Sequence, residues 1–130
     1  MNLLLDTHVW LWSLLEPERL RSETVEALRD GGNRLHLSPI SVWEAVLLAQ
    51  RGRLEVPGDP AAWVARVLAE VPIFEAPLTF EVALDSRAVV LPHDDPADRF
   101  LAATARVHGF VLVTADQRLL ACPDVQTRAA

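Results

Sequence analysis

The chain has 130 residues, of which 51% are apolar and 23% charged, and this balance predicts one globular domain, residues 1–130, with a buried core. No apolar run approaches the roughly 18 residues that span a bilayer, and the N-terminus lacks a basic segment followed by a cleavage site, so we expect a soluble, cytoplasmic protein. Cys122 is the only cysteine and all 12 basic side chains are arginine, which excludes a disulfide, a thiolate zinc site and mechanisms that require a lysine.

The first half of the chain alternates between strand and helix patterns. Residues 3–5 are a short apolar run typical of a buried strand, and an apolar helix follows over residues 9–15. A second helix over residues 22–30 ends at a Gly-Gly pair, and residues 34–37 are a second strand candidate. The next helix, residues 38–52, begins at a Ser-Pro pair that suits the N-cap and first helical positions, and a glycine closes it.

The second half continues the alternation. An Asp-Pro pair at Asp59 begins a helix, residues 73–76 are a short strand candidate, and residues 79–89 have a helical pattern. Another Asp-Pro pair begins the helix over residues 95–109, and residues 110–114 are the clearest strand. Strands separated by helix-length segments predict parallel βαβ connections with helices on both faces of one sheet.

Four acidic residues fall at positions that this fold would bring together. Asp6 directly follows the first strand and Asp116 comes just after the last one, so both belong at the carboxyl edge of the sheet, where ligands bind in open parallel sheets. Glu44 lies in an apolar stretch of a helix, and Asp98 lies in the first turn of another. Four clustered carboxylates repel one another unless a hard cation holds them, so the pattern favours a divalent-metal site that acts on phosphate esters.

Each acid also has a purely structural explanation. Glu44 follows Ser41 at the spacing of a capping box, and Asp98 suits the positive end of a helix dipole. Asp6 and Asp116 are typical turn or cap residues. Convergence of all four on one sheet edge is the feature that separates a metal site from four independent caps.

The formal net charge of −6 argues against a surface that binds nucleic acid through bulk electrostatics. Two bound divalent cations would reduce this charge to about −2 and would place the neutralisation in the acidic cleft. An acidic chain is therefore compatible with a nucleic-acid substrate only if the cleft binds metal.

Four sequence blocks resemble those of the PIN-domain nucleases and, within them, the VapC-type toxins of bacterial toxin-antitoxin pairs. The blocks are LLLDTHVWLW, SPISVWEA, LPHDDPADRFLAATA and VLVTAD, and they occur in the family's order over nearly the whole chain. The resemblance implies a three-layer α/β/α fold with a central, mainly parallel sheet. It also implies a metal-dependent endoribonuclease that uses Mg²⁺, or Mn²⁺ as a substitute, and leaves a 5′-phosphate and a 3′-hydroxyl.

The resemblance also assigns site residues by position. The family's four acids correspond to Asp6, Glu44, Asp98 and Asp116, and its flanking hydroxyl positions correspond to Thr7 and Thr114. Asp95 matches the family's helix-capping acid, whereas Asp94 is interpreted as a solvated loop charge or a supporting acid. Arg99, next to Asp98, is a candidate for an RNA phosphate contact or for an ion pair. Expected partners are RNA, a VapB-type antitoxin and a second copy of the chain in a homodimer.

Three other classes of function share part of this pattern. One is a PIN fold that has lost catalytic activity and serves as an interaction module. A metal-dependent cleavage assay separates this module from an active nuclease. Receivers and phosphatases of the aspartyl-phosphate type also cluster acids at strand ends, but they generally use a lysine. A structure-specific DNA nuclease on the same fold would need extra segments to hold duplex DNA.

The remaining aromatic and basic side chains are less specific. The four tryptophans are predicted to pack in the core rather than to stack on bases, and His8 to start a helix or pack. His93 is a weak candidate for a phosphate contact. Three further arginines are candidates for the groove rim: Arg51, Arg53 and Arg118.

Overall fold

A computed structural model describes residues 1–130 as five strands, seven α-helices and one short 3-10 turn at Pro17–Arg19. The strands are β1 (Asn2–Leu5), β2 (Arg34–Leu37), β3 (Phe74–Glu75), β4 (Val111–Thr114) and β5 (Thr127–Ala129). The helices are α1 (Thr7–Leu15), α2 (Ser22–Arg29), α3 (Pro39–Gln50), α4 (Pro60–Glu70), α5 (Phe80–Asp85), α6 (Pro96–His108) and α7 (Gln117–Leu120). None of the helices is long and apolar enough to cross a membrane.

The five strands form one parallel sheet in the order β3-β2-β1-β4-β5. β1 lies at the centre, where Leu4 is in register with His36 of β2 and with Leu112 of β4. The chain first builds the sheet outward from β1 through β2 and β3, and then returns to the other side of β1 with β4. Strand order therefore reverses between β1 and β4, which is the position at which open parallel sheets form ligand crevices.

Side chains of β1 alternate between two hydrophobic cores, one on each face of the sheet. Leu3 and Leu5 pack with Trp10, Ala45 and other residues of α1 to α4. Leu4 points to the opposite face and packs with residues of α5, α6 and α7. Successive side chains of a strand point to opposite faces of the sheet, which explains this division. The result is the three-layer α/β/α arrangement with a parallel sheet that the sequence predicted.

Most helix ends lie where their capping residues predicted them. Ser38 Oγ accepts a hydrogen bond from Ile40 N at 3.1 Å at the start of α3. Asp59 Oδ2 accepts from Ala62 N at 3.0 Å at the start of α4. Gly109 ends α6 with a φ of 71°, a left-handed conformation that costs glycine little.

Three features of the fold differ from the sequence prediction. The helix expected over residues 79–89 is shorter and ends at Asp85. The C-terminal elements α7 and β5 were not predicted, because residues 117–129 contain neither a long helical period nor an alternating strand pattern. β5 is a partly buried strand at the edge of the sheet, where polar residues such as Thr127 and Arg128 are tolerated. The sequence therefore lacks the apolar pattern that would have predicted this strand.

Candidate functional site

A cavity of about 350 Å³ opens beyond the carboxyl ends of β1 and β4. All four of the predicted acids line this one cavity, although they come from four different parts of the chain. The lining residues are Asp6, His8, Trp12, Glu44, Asp95, Asp98, Ala115, Asp116 and Arg118. Only two of these nine are hydrophobic, so the cavity differs from the apolar pockets that bind most small molecules.

Asp6 is the most buried of the four acids, with 8% of its surface exposed. It occupies the N-cap position of α1, but its side chain makes no capping hydrogen bond. Instead, Oδ2 accepts a hydrogen bond from Thr114 Oγ1 at 2.7 Å, across the β1–β4 boundary. The pKa of Asp6 is raised to about 6, chiefly because burial disfavours the charged form, with a smaller contribution from the nearby charge of Asp98 and an opposing effect of the Thr114 hydrogen bond.

Two hydroxyls fix the relative positions of the elements that carry the acids. Thr7 Oγ1 donates to Ser41 Oγ at 2.8 Å in a fully buried contact that ties the start of α1 to α3. Thr114 Oγ1 also accepts from Asp116 N at 3.0 Å, so one hydroxyl orients Asp6 and the turn that carries Asp116. The sequence marked Thr7 and Thr114 as flanking hydroxyls, but it gave no sign that Ser41 would bond to Thr7.

Asp98 lies in the first turn of α6 and pairs with His93. His93 Nε2 is 2.7 Å from Asp98 Oδ2, and both side chains are 14% exposed. Burial raises the pKa of Asp98, and the hydrogen bond from His93 opposes that shift. The second ring nitrogen of His93, Nδ1, is buried without a hydrogen-bond partner. His93 therefore orients a site carboxylate, whereas the sequence offered it only as a weak candidate for phosphate.

Asp116 forms an ion pair with Arg118 at the mouth of the cavity. Arg118 Nη2 lies 3.1 Å from Asp116 Oδ2 and 3.7 Å from Asp98 Oδ2, so one half-exposed guanidinium stands between two site carboxylates. The hydrogen bond from Arg118 lowers the pKa of Asp116. Arg118 was expected at a groove rim, and at the mouth of this cavity it lies between two of the site acids.

Glu44 projects from the second turn of α3 and is half-buried at the cavity wall. Because the helix begins at Ser38, Glu44 lies too far into α3 to act as the capping-box residue that its spacing from Ser41 allowed. Asp95 is the acid that does cap a helix. Its Oδ1 accepts from Ala97 N at 3.0 Å at the start of α6, as predicted for this residue.

The donor chemistry of the cavity suits a hard divalent cation. Four carboxylates supply only oxygen, the ligand that Mg²⁺ and Mn²⁺ prefer, and the Asp6 carboxylate is held out of water with a single side-chain hydrogen bond. In this structure, however, no group of three or more His, Cys, Asp or Glu side chains is close enough to hold one ion. The positive charge between Asp98 and Asp116 is that of Arg118.

Arg99 does not line the cavity, so the structure gives no support to a contact with RNA phosphate, which was one of the two alternatives for this residue. Its side chain is buried, and its guanidinium donates to the carbonyls of Ser86 at 2.8 Å, Val89 at 2.9 Å and His93 at 3.2 Å. The alternative ion pair is limited to a 4.0 Å approach to Asp94, which is itself 80% exposed. Arg99 thus holds the segment before α6 in place, and Asp94 is the solvated loop charge that the sequence indicated.

The aromatic side chains divide between core and surface. Trp10 and Trp63 are buried as predicted, whereas Trp43 is 57% exposed, so the core prediction is wrong for Trp43. Trp12 is half-buried and lines the acidic cavity, with the Arg19 guanidinium 4.5 Å from its ring. His8 lies in the first turn of α1, as expected, but its side chain is exposed at the same cavity rather than packed.

Comparison with known proteins identifies the family. The PIN domain matches residues 3–124. Ribonuclease VapC22 of Mycobacterium tuberculosis is 36% identical over 121 residues, which cover 91% of this chain and 89% of that protein. The chain therefore belongs to the PIN-domain family, and the resemblance to its VapC-type members is confirmed.

Solved structures confirm the fold. The structure of VapBC2 from Rickettsia felis, bound to a DNA fragment from its promoter, superposes with a TM-score of 0.72 over 99% of this chain and 98% of that chain, at 12% identity. VapBC-1 from nontypeable Haemophilus influenzae superposes with a TM-score of 0.66 over the same shares, at 18% identity. At these identities the likeness shows the α/β/α fold and nothing finer.

Proposed function

We propose that this protein is a Mg²⁺- or Mn²⁺-dependent endoribonuclease that acts as the toxin of a toxin-antitoxin pair. The observation that carries the proposal is the convergence of Asp6, Glu44, Asp98 and Asp116 on one cavity at the sheet's switch point. Similarity to a VapC ribonuclease over nine-tenths of the chain supports the choice of RNA as substrate.

The four carboxylates would hold the metal. When bound, a divalent cation lowers the pKa of water and stabilises the leaving oxygen of a phosphodiester, so no protein nucleophile is required. This agrees with the side chains of the cavity, which offer no serine or cysteine. The family pattern then gives products with a 5′-phosphate and a 3′-hydroxyl.

The chain's own residues orient the acids and limit their contact with water. Thr114 donates to Oδ2 of Asp6 and so fixes the orientation of a carboxylate that lines the cavity. His93 holds one oxygen of Asp98 in the same way. The Thr7–Ser41 bond fixes α1 against α3, and therefore Asp6 against Glu44. Such supporting contacts matter because displacing a ligand by a fraction of an ångström weakens metal binding.

The partner would be a VapB-type antitoxin, in keeping with the VapBC complexes that share the fold, and the toxin would itself form a homodimer in the cytoplasm. A second cavity of about 590 Å³ adjoins the acidic one and shares His8 and Trp12 with it. Five of its nine lining residues are hydrophobic, including Leu11, Leu15 and Leu48, and the polar ones lie around them: His8, Glu16, Arg19 and Arg53. An apolar helix of the antitoxin would fit there, with a basic side chain reaching the carboxylates.

Cleavage of RNA tests the proposal directly. Purified protein should cleave RNA with Mg²⁺ or Mn²⁺ and stop when EDTA is added, and Asp6→Asn and Asp98→Asn should each lower the rate at least ~100-fold through loss of a ligand. Asp94→Asn is the matched control, because Asp94 is an exposed acid four residues from Asp98 and outside the cavity. Full activity in EDTA would refute the metal site, and absence of cleavage with any divalent metal would favour a silent interaction module.

A further inference from the structure

We infer that the groove between α3 and the start of α6 binds single-stranded RNA, with Trp43 stacking on a base and Arg51 and Arg53 contacting phosphates. This inference rests on the proposed function, because it supplies the path by which RNA reaches the acids. The groove is a cavity of about 560 Å³ that shares Glu44 and Asp95 with the acidic cavity. A strand lying in it would continue into the cluster of carboxylates.

Trp43 is placed as a stacking platform. It is the residue before Glu44, it lines the groove and it is 57% exposed, although a tryptophan side chain is usually well buried. Leu47 and Arg51 follow at intervals of four residues, which places them with Trp43 along one face of α3. An exposed aromatic ring beside a nuclease cavity suits base stacking, which accepts any base because every base has a π-face.

Arg51 and Arg53 are cations without an acidic partner. Neither has a carboxylate oxygen within 4.0 Å, in contrast to Arg19, Arg106 and Arg118, which form ion pairs. The groove lining holds two acids, Glu44 and Asp95, which it shares with the acidic cavity, and the two unpaired guanidiniums supply its positive charge. Arg53 also lines the neighbouring cavity between α1 and α3. Phosphate oxygens are the natural partners of both arginines, since guanidinium geometry matches phosphate.

The backbone of both arginines is fixed by the C-terminal cap of α3. Arg53 N donates to Leu48 O at 2.9 Å and Gly52 N donates to Ala49 O at 3.1 Å, the paired bonds of a Schellman motif. Gly52 has a φ of 70°, which the motif requires. The Cα positions of both arginines are therefore fixed at the C-terminal end of α3, and their side chains extend from an ordered backbone.

The length of the groove suits a few nucleotides. Arg51, the C-cap of α3, follows Glu44 by seven positions, which is about 10 Å along a helix axis. A stacked strand rises about 3.4 Å per nucleotide, so about three nucleotides lie between the acids and the arginines. An unpaired strand suits this groove, because bases in a duplex are not exposed for stacking on Trp43.

The stacking role is tested by binding of a short, unstructured, fluorescein-labelled RNA oligonucleotide, measured by anisotropy in EDTA so that no cleavage occurs. Trp43→Ala should weaken binding about 5- to 150-fold, whereas Trp43→Phe should retain most of it. Phe80→Ala is the matched control, because Phe80 is an aromatic side chain with 93% exposure that lies outside the groove. Equal effects of Trp43→Ala and Phe80→Ala would overturn the inference.

The phosphate contacts are tested by salt dependence. In the Arg51→Gln/Arg53→Gln double variant, the slope of log affinity against log salt should fall by about 1.4, which corresponds to two lost contacts with a single strand. Arg66→Gln, on the exposed side of α4 and likewise without an ion pair, should leave the slope unchanged. An unchanged slope in the double variant would remove the arginines from the RNA path.

Light scattering of the same variants measures their oligomeric state and so shows whether the groove binds RNA or a second copy of the protein. If Trp43→Ala converted a dimer to monomers, the exposed surface of α3 would be an interface between two copies, and the RNA assignment would be overturned. Failure of the proposed function is distinguishable from failure of this inference. Binding that depends on Trp43 without cleavage in Mg²⁺ would refute only the nuclease, and cleavage without dependence on Trp43 would refute only the groove.

Discussion

Burial of Asp6 makes the stability of the protein without metal depend on pH. The pKa of this carboxyl is about 6 in the folded chain and 3.8 as an ordinary aspartate. A raised folded pKa means that the folded state binds the proton more tightly. Asp6 therefore contributes stability below about pH 4 that is lost as the pH rises through about 6, and the full loss is on the order of 3 kcal/mol.

Neutralising Asp6 should abolish that loss. In EDTA at pH 7.5 the Asp6→Asn variant should be at least as stable as wild type and up to about 3 kcal/mol more stable, because the amide still accepts from Thr114 without being charged. The difference between the two proteins in urea unfolding should shrink at pH 4.5. Asp94→Asn, at an exposed acid, should show no such pH-dependent difference. A less stable Asp6→Asn at both pH values would mean that Asp6 is a structural cap.

Arg118 would compete with the proposed metal for two of the site carboxylates. Because its guanidinium stands between Asp98 and Asp116, binding of a cation by those acids has to displace it. Arg118→Gln should therefore tighten binding of Mg²⁺ roughly two- to fivefold, the range expected for a half-exposed ion pair. The rise of melting temperature with Mg²⁺ concentration measures this affinity.

Arg87→Gln is the control for Arg118→Gln, because Arg87 pairs with Asp94 outside the cavity. It removes the same charge from the molecule without removing a guanidinium from the acids. Equal affinity for Mg²⁺ in both variants would show that Arg118 does not compete with the metal.

The sequence predicted that the four acids would converge and marked the hydroxyls that flank them, but it did not predict the contacts that Ser41, His93 and Arg118 make in the site. Asp6 and Asp116 were predictable because strand ends in a parallel sheet share an edge, and that rule depends only on pattern. The contacts of an arginine side chain cannot be predicted in this way, because they depend on which groups the rest of the fold brings within its reach. Arg99 and Asp98 are neighbours in sequence, yet one side chain lies among buried carbonyls and the other lines the cavity.

At the scale of elements, one side chain makes three of the hydrogen bonds that hold the segment between α5 and α6. This segment has little regular structure, and Arg99 ties it to α6 through the carbonyls of Ser86, Val89 and His93. Since His93 in turn holds Asp98, Arg99 acts on the site through the position of His93. Removing the guanidinium would leave buried carbonyls without donors, which is costly.

Arg99→Met should lower the free energy of unfolding by about 3 kcal/mol, since a charged donor to three carbonyls is lost while the volume is kept. Hydrogen exchange should speed up in residues 86–95 before other segments. Arg87→Met should cost less than about 1 kcal/mol, because it breaks only an exposed pair with Asp94. Similar losses in both variants would contradict the anchoring role of Arg99.

Elements with strong end signals were predicted well, and elements without them were not. α3, α4 and α6 begin at Ser-Pro or Asp-Pro pairs that supply a side-chain acceptor and a preset φ, and the structure shows those caps. α7 has only four residues, and its cap, Asp116, has both of the roles that the sequence allowed, because it caps the helix and also lines the acidic cavity. β5 gains its strand conformation by pairing with β4, a long-range contact that residues 127–129 do not encode locally.

At the scale of the whole molecule, a largely apolar groove lies next to the acidic cavity, in a chain whose net charge is negative. The groove between α1 and α3 holds Leu11, Leu15 and Leu48, and it meets the carboxylates at His8 and Trp12. An antitoxin that matches this surface needs an apolar helix for the groove and an arginine for the acids. Salt should weaken the contact with the acids more than the apolar contact, because only the former is an interaction between charges.

Co-expression with the proposed VapB-type antitoxin, the small protein expected to be encoded next to this chain, tests this division of roles. The complex should co-purify and should not cleave RNA, because the arginine occupies the place of the metal among the four acids. Removing the basic end of the antitoxin should restore cleavage while the truncated protein remains bound through its apolar helix. Leu15→Glu in the toxin should instead weaken binding of the antitoxin itself, because it places a charge in the apolar part of the groove. If the truncated antitoxin still inhibited fully, inhibition would not act through the carboxylates, and blocking of the groove itself would have to account for it.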